Sequence, residues 1–262
     1  MNRRALILRE LGLTPLWVRR KPGAVDPAVS AAVEDAAVEG ALQGGEGDAN
    51  EHTAGTTVRS VPAHAGAVRS MDWPELEAAA TACTACALHQ QRNKAVFGVG
   101  DRKAEWLFVG EGPGAEEDER GEPFVGQAGK LLDNMLASIG LKRGENVYIA
   151  NVVKCRPPGN RNPAPAEAQA CEPYLTRQID LIGPRLIIAL GKVAAQNLLG
   201  TEATIASLRG RTHRMRSGTP LIVTYHPAYL LRTLGDKARA WEDLCFALET
   251  MKALKAGTAG AG

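Results

Sequence analysis

From Asp72 onward, short apolar segments typical of buried β-strands alternate with longer segments of helical periodicity. The strand-like segments occupy residues 106–110, 146–153, 185–191 and 220–227. The helix-like segments occupy residues 73–86, 129–141, 165–182, 192–199 and 236–254. Continuous apolar strands that alternate with helices are typical of a parallel sheet covered on both faces. We therefore predict an α/β fold, with three αβα layers around a central, mainly parallel four-stranded sheet.

The sequence before Asp72 differs in composition and periodicity. Residues 1–20 intersperse leucines with arginines, which predicts a short amphipathic helix. Residues 21–71 are rich in Ala, Gly, Val and acidic residues without a clear period, so they bury too little apolar surface to offset the entropy of ordering. We expect a disordered acidic linker over 21–71, a globular domain over 72–254 and a disordered tail over 255–262. The N-terminal extension is a candidate binding segment for an unidentified protein partner.

Charge and hydropathy narrow the class of protein. The net charge is only +2, but residues 200–240 contain seven Lys or Arg against Glu202 and Asp236. This local basic region fits a polyanionic partner, and it fits an ordinary charged surface equally well. No apolar run approaches the roughly 20 residues of a membrane span, and the first residues do not form a signal peptide. We expect a cytoplasmic protein that does not act at a membrane.

Polar residues follow the predicted strands where a parallel sheet builds its ligand site. A turn over 110–118 follows the first strand, and Asn151 lies within the end of the second. Lys192 follows the third strand, and His226 lies at the end of the fourth. Ligands of open α/β sheets bind beyond the carboxyl ends of the strands. The sequence therefore predicts a functional site formed by these residues.

Four of the five cysteines form a pattern. Cys83 and Cys86 make a C-x-x-C pair, and Cys155 and Cys171 follow later in the chain. Four thiols in a chain without an export signal favour a metal site with four thiolate ligands over a disulfide framework. Zinc and a [4Fe-4S] cluster both accept this ligand set, and buried structural thiols are the alternative. Cys245 lies among apolar residues of the last predicted helix, so we interpret it as a core residue.

Three runs of the sequence stand out beside the cysteine pattern: GEGPGAEEDERGEPFVGQAGKLLDNML, YIANVVKCRPPGNRNP and HPAYLLR. Together they resemble the family 4 uracil-DNA glycosylases over about residues 72–252. The resemblance implies one structural [4Fe-4S] cluster on Cys83, Cys86, Cys155 and Cys171. It also implies a hydrolase of base excision repair, which flips deoxyuridine out of DNA, hydrolyses its N-glycosidic bond and leaves an abasic site.

The resemblance implies three contacts to the flipped base. Phe124 matches the aromatic residue on which the base stacks. Asn151 matches the residue that reads the base edge, because one carboxamide can pair with the O4 acceptor and N3–H donor of uracil. His226 matches the catalytic histidine, which stabilises the negative charge that gathers on uracil O2 as the bond breaks.

Further roles follow from the same resemblance. In the turn after the first strand, Glu111 and Gly112 are expected at the substrate, and Glu117 is the candidate for holding the attacking water or crowding C5 of the base. Leu230 or Leu231 is expected to act as a wedge in the DNA. The candidates for phosphate contacts are Arg232, Arg209 and Arg211, with Arg214, Arg216, Lys154 and Arg156 as further possibilities.

Two other functions remain open at this point. One is an iron–sulfur or zinc module that binds nucleic acid without catalysis, and the other is a glycosylase that prefers a different damaged base. The expected partner is uracil-containing single- or double-stranded DNA, and we expect a monomer.

Overall fold

A computed structural model describes residues 64–259 of the chain. The amphipathic helix expected over 1–20, the linker up to residue 63 and the last three residues of the tail lie outside the described residues.

The centre of the fold is a mixed sheet. Its strands are β1 (Val99–Gly100), β2 (Trp106–Gly110), β3 (Val147–Asn151), β4 (Leu186–Leu190), β5 (His213–Arg214) and β6 (Pro220–Thr224). Their order in the sheet is β1-β3-β2-β4-β6-β5. The four long strands β3, β2, β4 and β6 are mutually parallel, which confirms the predicted parallel core.

The sheet has six strands among the described residues instead of the predicted four. The additional strands β1 and β5 pair antiparallel with β3 and β6 at the two edges. Each edge strand contains two residues, which is too short to show the alternating pattern by which a strand is found in a sequence.

Helices cover both faces of the sheet. They are α1 (Ala65–Val68), α2 (Trp73–Ala82), α3 (Ala115–Arg120), α4 (Gln127–Ser138), α5 (Pro165–Ile182), α6 (Lys192–Leu199), α7 (Ile205–Leu208), α8 (Pro227–Arg232) and α9 (Lys237–Ala259). Helices α1, α2, α5 and α6 pack with one core cluster on one face, and α4 and α9 pack with another on the opposite face. This confirms the three-layer αβα architecture. No described helix is both long and apolar enough to cross a membrane.

The long strands are buried on both faces, because alternate side chains point into the two core clusters. In β2, Leu107 and Val109 face the cluster with α2 and α5, whereas Trp106 and Phe108 face the cluster with α4 and α9. All five residues of β2 are buried, as expected for a central parallel strand.

Helical structure extends beyond the predicted limits of the globular domain at both ends. Helix α1 lies inside the segment assigned to the linker, and Val68, which is 1% exposed, belongs to the core cluster. At the other end, α9 continues to Ala259, five residues beyond the predicted limit at 254. The predicted N-cap is present: the Asp72 carboxylate accepts a hydrogen bond from Glu75 N, and the Glu75 carboxylate accepts one from Asp72 N.

Candidate active site

A cleft of about 590 Å³ opens beyond the carboxyl ends of β2, β3, β4 and β6. The sequence predicted a site at this edge of the sheet. Residues of the cleft that sequence analysis had singled out are Glu111, Gly112, Glu117, Phe124, Asn151, Lys192, His226 and Arg232.

Phe124, Asn151 and His226 lie together in this cleft. The ring centroids of Phe124 and His226 are 5.5 Å apart, with 31° between the ring planes. A Cβ atom at Gly110 would lie 2.5 Å from Asn151 Oδ1 and 2.6 Å from Phe124 Cζ. Both side chains therefore converge on the end of β2, and only glycine at position 110 leaves room for them. The three residues expected to hold one base are thus close enough to do so.

Asn151 places a buried carboxamide at the cleft. Asn151 ends β3 and is 2% exposed, and its Oδ1 atom has no hydrogen-bond partner among the described residues. Leaving a buried acceptor unsatisfied costs about 1–3 kcal/mol. An acceptor in this state is suited to a ligand that brings an N–H donor into the cleft.

His226 is held as a neutral imidazole. It follows β6 and caps α8, and its Nδ1 atom accepts a hydrogen bond of 3.1 Å from Ala228 N. Burial, with a smaller effect from the Arg232 cation, lowers the pKa of His226 to about 4. Because Nδ1 accepts, the ring proton lies on Nε2, which can donate to a ligand. Gly191 allows this position, since a Cβ there would lie 2.9 Å from His226 Cβ.

The neutral His226 predicts how stability depends on pH. The imidazole of the unfolded chain takes up a proton below its ordinary pKa of 6.5, whereas the folded protein binds this proton only near pH 4. The unfolded state therefore gains protons first, and the free energy of unfolding falls as the pH is lowered from 7 towards 4. We expect His226→Gln to remove the contribution of His226 to this decline. Urea unfolding of the wild type and the variant at pH 7 and pH 5 measures the effect. Parallel stability–pH curves for the two proteins would contradict the neutral assignment.

Glu117 holds the loops of the cleft together. One carboxyl oxygen accepts a hydrogen bond from Gly114 N, and the other accepts bonds from Val125 N and Gly126 N at 2.9 and 3.0 Å. Because three backbone amides occupy this carboxylate, the structure gives it a scaffolding role. The prediction that Glu117 holds water or crowds C5 receives no support from these contacts.

The other two residues of this turn lie at the cleft as expected. Burial raises the pKa of the Glu111 carboxyl. Among residues 64–259, no hydrogen bond joins that carboxyl group to another residue of the protein. Gly112 lies close to the chain that follows β3, since a Cβ there would lie 2.7 Å from Val153 Cγ2.

Leu230 and Arg209, both predicted to contact DNA, make their contacts within the protein. Leu230 is 1% exposed and packs with α4 and α9, so it cannot act as a wedge. The Arg209 side chain is 13% exposed and makes two hydrogen bonds to the Asp243 carboxylate, at 2.7 and 2.9 Å. The structure therefore leaves Leu231 as the candidate wedge and gives the Arg209 guanidinium a partner within the protein. Each residue lies beside exposed chain, and sequence proximity does not show which way a side chain points.

Three of the other predicted DNA contacts, Leu231, Arg232 and Arg211, are accessible. Leu231 is 42% exposed, and Arg232 is exposed at the cleft. Arg211 is exposed but does not line the cleft. Lys154 differs, since its ammonium is buried and donates to Asn151 O and Gln178 Oε1 at 3.0 and 2.6 Å. It therefore holds the chain after β3 and cannot reach a phosphate.

Sequence reasoning missed part of the cleft. One wall is the loop that contains Asn160, Arg161 and Asn162, and another contains Tyr225 and Tyr229. The two tyrosine rings are stacked, with centroids 5.2 Å apart. The loop lies inside the run YIANVVKCRPPGNRNP, and the tyrosines flank His226, so their proximity to recognised motifs was the available signal.

The four patterned cysteines surround one small cavity between α2 and α5. Arg92 donates to Cys155 Sγ at 3.0 Å, and Lys154 N donates to Cys171 Sγ at 3.3 Å. Burial raises the pKa of the Cys171 thiol to about 12. Within residues 64–259, no three His, Cys, Asp or Glu side chains converge closely enough for a single metal ion. Cys245 is half-buried in α9 and does not line this cavity.

Comparisons with known proteins agree on one family. The family model of the uracil DNA glycosylase superfamily matches residues 97–245. A type-4 uracil-DNA glycosylase of Archaeoglobus fulgidus is 51% identical over 57% of this chain and 78% of that protein. Relatives with the same description are 48% identical in Thermotoga maritima, over 60% of this chain and 82% of that protein, and 44% in Pyrobaculum aerophilum, over 66% and 92%.

Proposed function

Because this chain belongs to the uracil DNA glycosylase superfamily, we propose that it excises uracil from DNA by hydrolysing the N-glycosidic bond of deoxyuridine. The observation that carries the proposal is Asn151 Oδ1, which has no hydrogen-bond partner within residues 64–259 and is buried in a cleft beside the Phe124 ring and the His226 imidazole. A non-catalytic binding module has no use for these three groups together.

Recognition of uracil begins with the flipped base in the cleft. Its face stacks on Phe124, which contributes roughly 1–3 kcal/mol towards the cost of leaving the DNA stack. Asn151 Oδ1 accepts the N3–H of uracil, and the amide nitrogen donates to O4. Cytosine carries the opposite donor and acceptor at these positions, so the same carboxamide rejects it.

Bond cleavage places negative charge on uracil O2. The neutral His226 donates to O2 from Nε2, and its Nδ1 is already oriented by Ala228 N. A donor that is positioned before the reaction stabilises the transition state without reorganisation. The imidazole therefore acts as a fixed hydrogen-bond donor.

Glu111 is the acid that we assign to the attacking water. Its carboxyl group faces the cleft, and burial raises its pKa, so it can accept a proton more readily than an ordinary carboxylate. Glu117 remains a positioning residue, because its oxygens fasten the loop that carries Phe124. Gly112 gives the base room beside Val153.

DNA contacts surround the mouth of the cleft. The exposed cations Lys192 and Arg232 line it and are suited to phosphates on either side of the flipped nucleotide. Leu231 is exposed on α8 and can fill the gap that the base leaves. Arg211 is exposed outside the cleft, earlier in the chain, and is a more distant phosphate contact.

The four cysteines fit a [4Fe-4S] cluster. They line one cavity between α2 and α5. Arg92 and Lys154 N donate to two of the sulfurs, which suits thiolate ligands of such a cluster. Its proposed role is structural: it joins the end of α2 to the loop that follows Asn151, and hydrolysis needs no electron transfer.

The proposal is tested with single-stranded DNA that carries one deoxyuridine. The protein is incubated with this DNA, and alkali then cleaves any abasic site. We expect a strand break at the position of deoxyuridine and none in matched DNA with thymidine. No break would favour the non-catalytic module, and a break only with hypoxanthine or mispaired thymine would favour a different base preference.

Asn151→Asp is expected to weaken base discrimination. The carboxylate retains acceptors but loses the donor to O4, so uracil binds less well and the amino group of cytosine finds an acceptor. The ratio of uracil to cytosine excision should fall by roughly 5- to 150-fold, the equivalent of about 1–3 kcal/mol. Single-turnover assays on both substrates measure it. Asn197→Asp, on α6 outside the cleft, should leave the ratio unchanged.

A further inference from the structure

Phe124 has an unusual backbone. Its φ angle is 56°, in the left-handed region that bulky side chains rarely adopt. The residue lies between α3 and α4, and its ring is 6% exposed. A strained residue at a functional site persists only when its surroundings hold it.

The guanidinium of Arg143 holds this backbone. Arg143 lies in the turn before β3, about twenty residues away in the sequence. Its two terminal nitrogens donate to Pro123 O at 2.9 Å and to Phe124 O at 2.7 Å. Its Nε donates to the Asp133 carboxylate of α4 at 2.9 Å, which fixes the orientation of the fork.

Helix α4 restricts the same peptide from the other side. A Cβ at Gly129 would overlap the Phe124 carbonyl, so the helix backbone lies directly against it. Glu117 accepts from Val125 N of the same peptide and from Gly126 N of the next one. Arg143 thus holds the carbonyls of Pro123 and Phe124, and Glu117 holds the amides of the next two residues.

We propose that Arg143 is a positioning residue for base recognition, which fixes the Phe124 ring in the orientation that stacks on the flipped uracil. This inference rests on the proposed function, in which Phe124 carries the stacking contact. Lysine cannot replace Arg143, because one ammonium cannot reach the two carbonyls and the Asp133 carboxylate with the planar geometry of the fork.

The test combines Arg143→Met and Arg143→Lys with Phe124→Ala in a double-mutant cycle. The measured quantities are the single-turnover rate of uracil excision, inhibition by free uracil and the melting temperature. We expect both Arg143 variants to lower the rate and weaken uracil inhibition by roughly tenfold. In the Phe124→Ala background, loss of Arg143 should have little further effect. Arg143→Lys keeps the charge and serves if Arg143→Met does not fold.

One control separates positioning from general stability. Arg102→Met removes another arginine, paired with Glu77 away from the cleft, and should retain the rate within about twofold.

Results that contradict the role of Arg143 can be told apart from a result that contradicts the proposed function. An active wild type with equal Arg143 effects in the presence and absence of the Phe124 ring overturns the inference alone, as does an Arg143→Lys variant with full rate and uracil affinity. A wild type without uracil excision overturns the proposed function, and the inference falls with it.

Discussion

Replacing His226 with alanine is expected to slow uracil excision by about 10²–10³-fold, because it removes the donor that meets the charge on uracil O2. Binding of DNA without uracil should change little, since phosphate contacts do not involve the imidazole. Single-turnover kinetics and a binding titration at the same salt concentration measure the two effects separately. His226 has no other hydrogen-bonded role in the described structure than the cap of the short helix α8.

The dependence of the excision rate on pH is a second test of the role of His226. With a pKa near 4, His226 is already neutral at pH 6.5. The pH–rate profile of the wild type should therefore contain no inflection near pH 6.5 that comes from His226. Replacing His226 with alanine should not remove an inflection there. His213→Ala, in the edge strand β5 away from the cleft, should keep nearly the full rate. Full activity of His226→Ala would refute the assignment of the donor.

Cys155→Ser is expected to lose the iron–sulfur cluster and destabilise the fold. Cys155 is 7% exposed and lies four residues after Asn151, so the cluster fastens the loop that follows the base-reading strand. The loss of a metal group that links distant segments should lower the free energy of unfolding by about 3 kcal/mol or more. For a domain of this size, that corresponds to a fall in Tm of roughly 6–12 °C.

Iron content, visible absorption and thermal unfolding measure this effect. Cys245→Ser is the matched control, because Cys245 is half-buried in α9 and does not line the cysteine cavity. It should keep its iron and its brown colour. A colourless wild type that contains zinc would refute the cluster, and an unchanged Tm for Cys155→Ser would refute its structural role.

The parallel core could be predicted because its signals are local. Four continuous apolar runs between amphipathic segments have few solutions other than a sheet covered on both faces, and β2, β3, β4 and β6 follow that pattern. The edge strands β1 and β5 were not predicted, since two residues carry no period. Helix α1 was also missed, because four residues of Ala, Gly and Val gain stability only by packing on the domain.

The candidate site likewise has a part that could be predicted from the sequence and a part that could not. Chain order places Asn151 and His226 at strand ends, and parallel strands bring those ends to one edge, so their proximity follows from the sequence. The motif resemblance added Phe124, which lies in a loop with no periodic signal of its own. The sequence could not show that Leu230 packs in the core whereas Leu231 is exposed, or that Arg209 pairs with Asp243, because these depend on the direction of each side chain in the fold.

By itself, then, the sequence determined the layers, the parallel strands, the edge at which polar groups gather and the family. These depend on periodicity and chain order, which are properties of neighbouring residues. Only the tertiary structure decided that Nδ1 of His226 accepts a hydrogen bond, that Glu117 is occupied by three amides and that Arg143 holds the Phe124 backbone. Each of these depends on distances of about 3 Å between atoms of folded chain, and no local pattern encodes such distances.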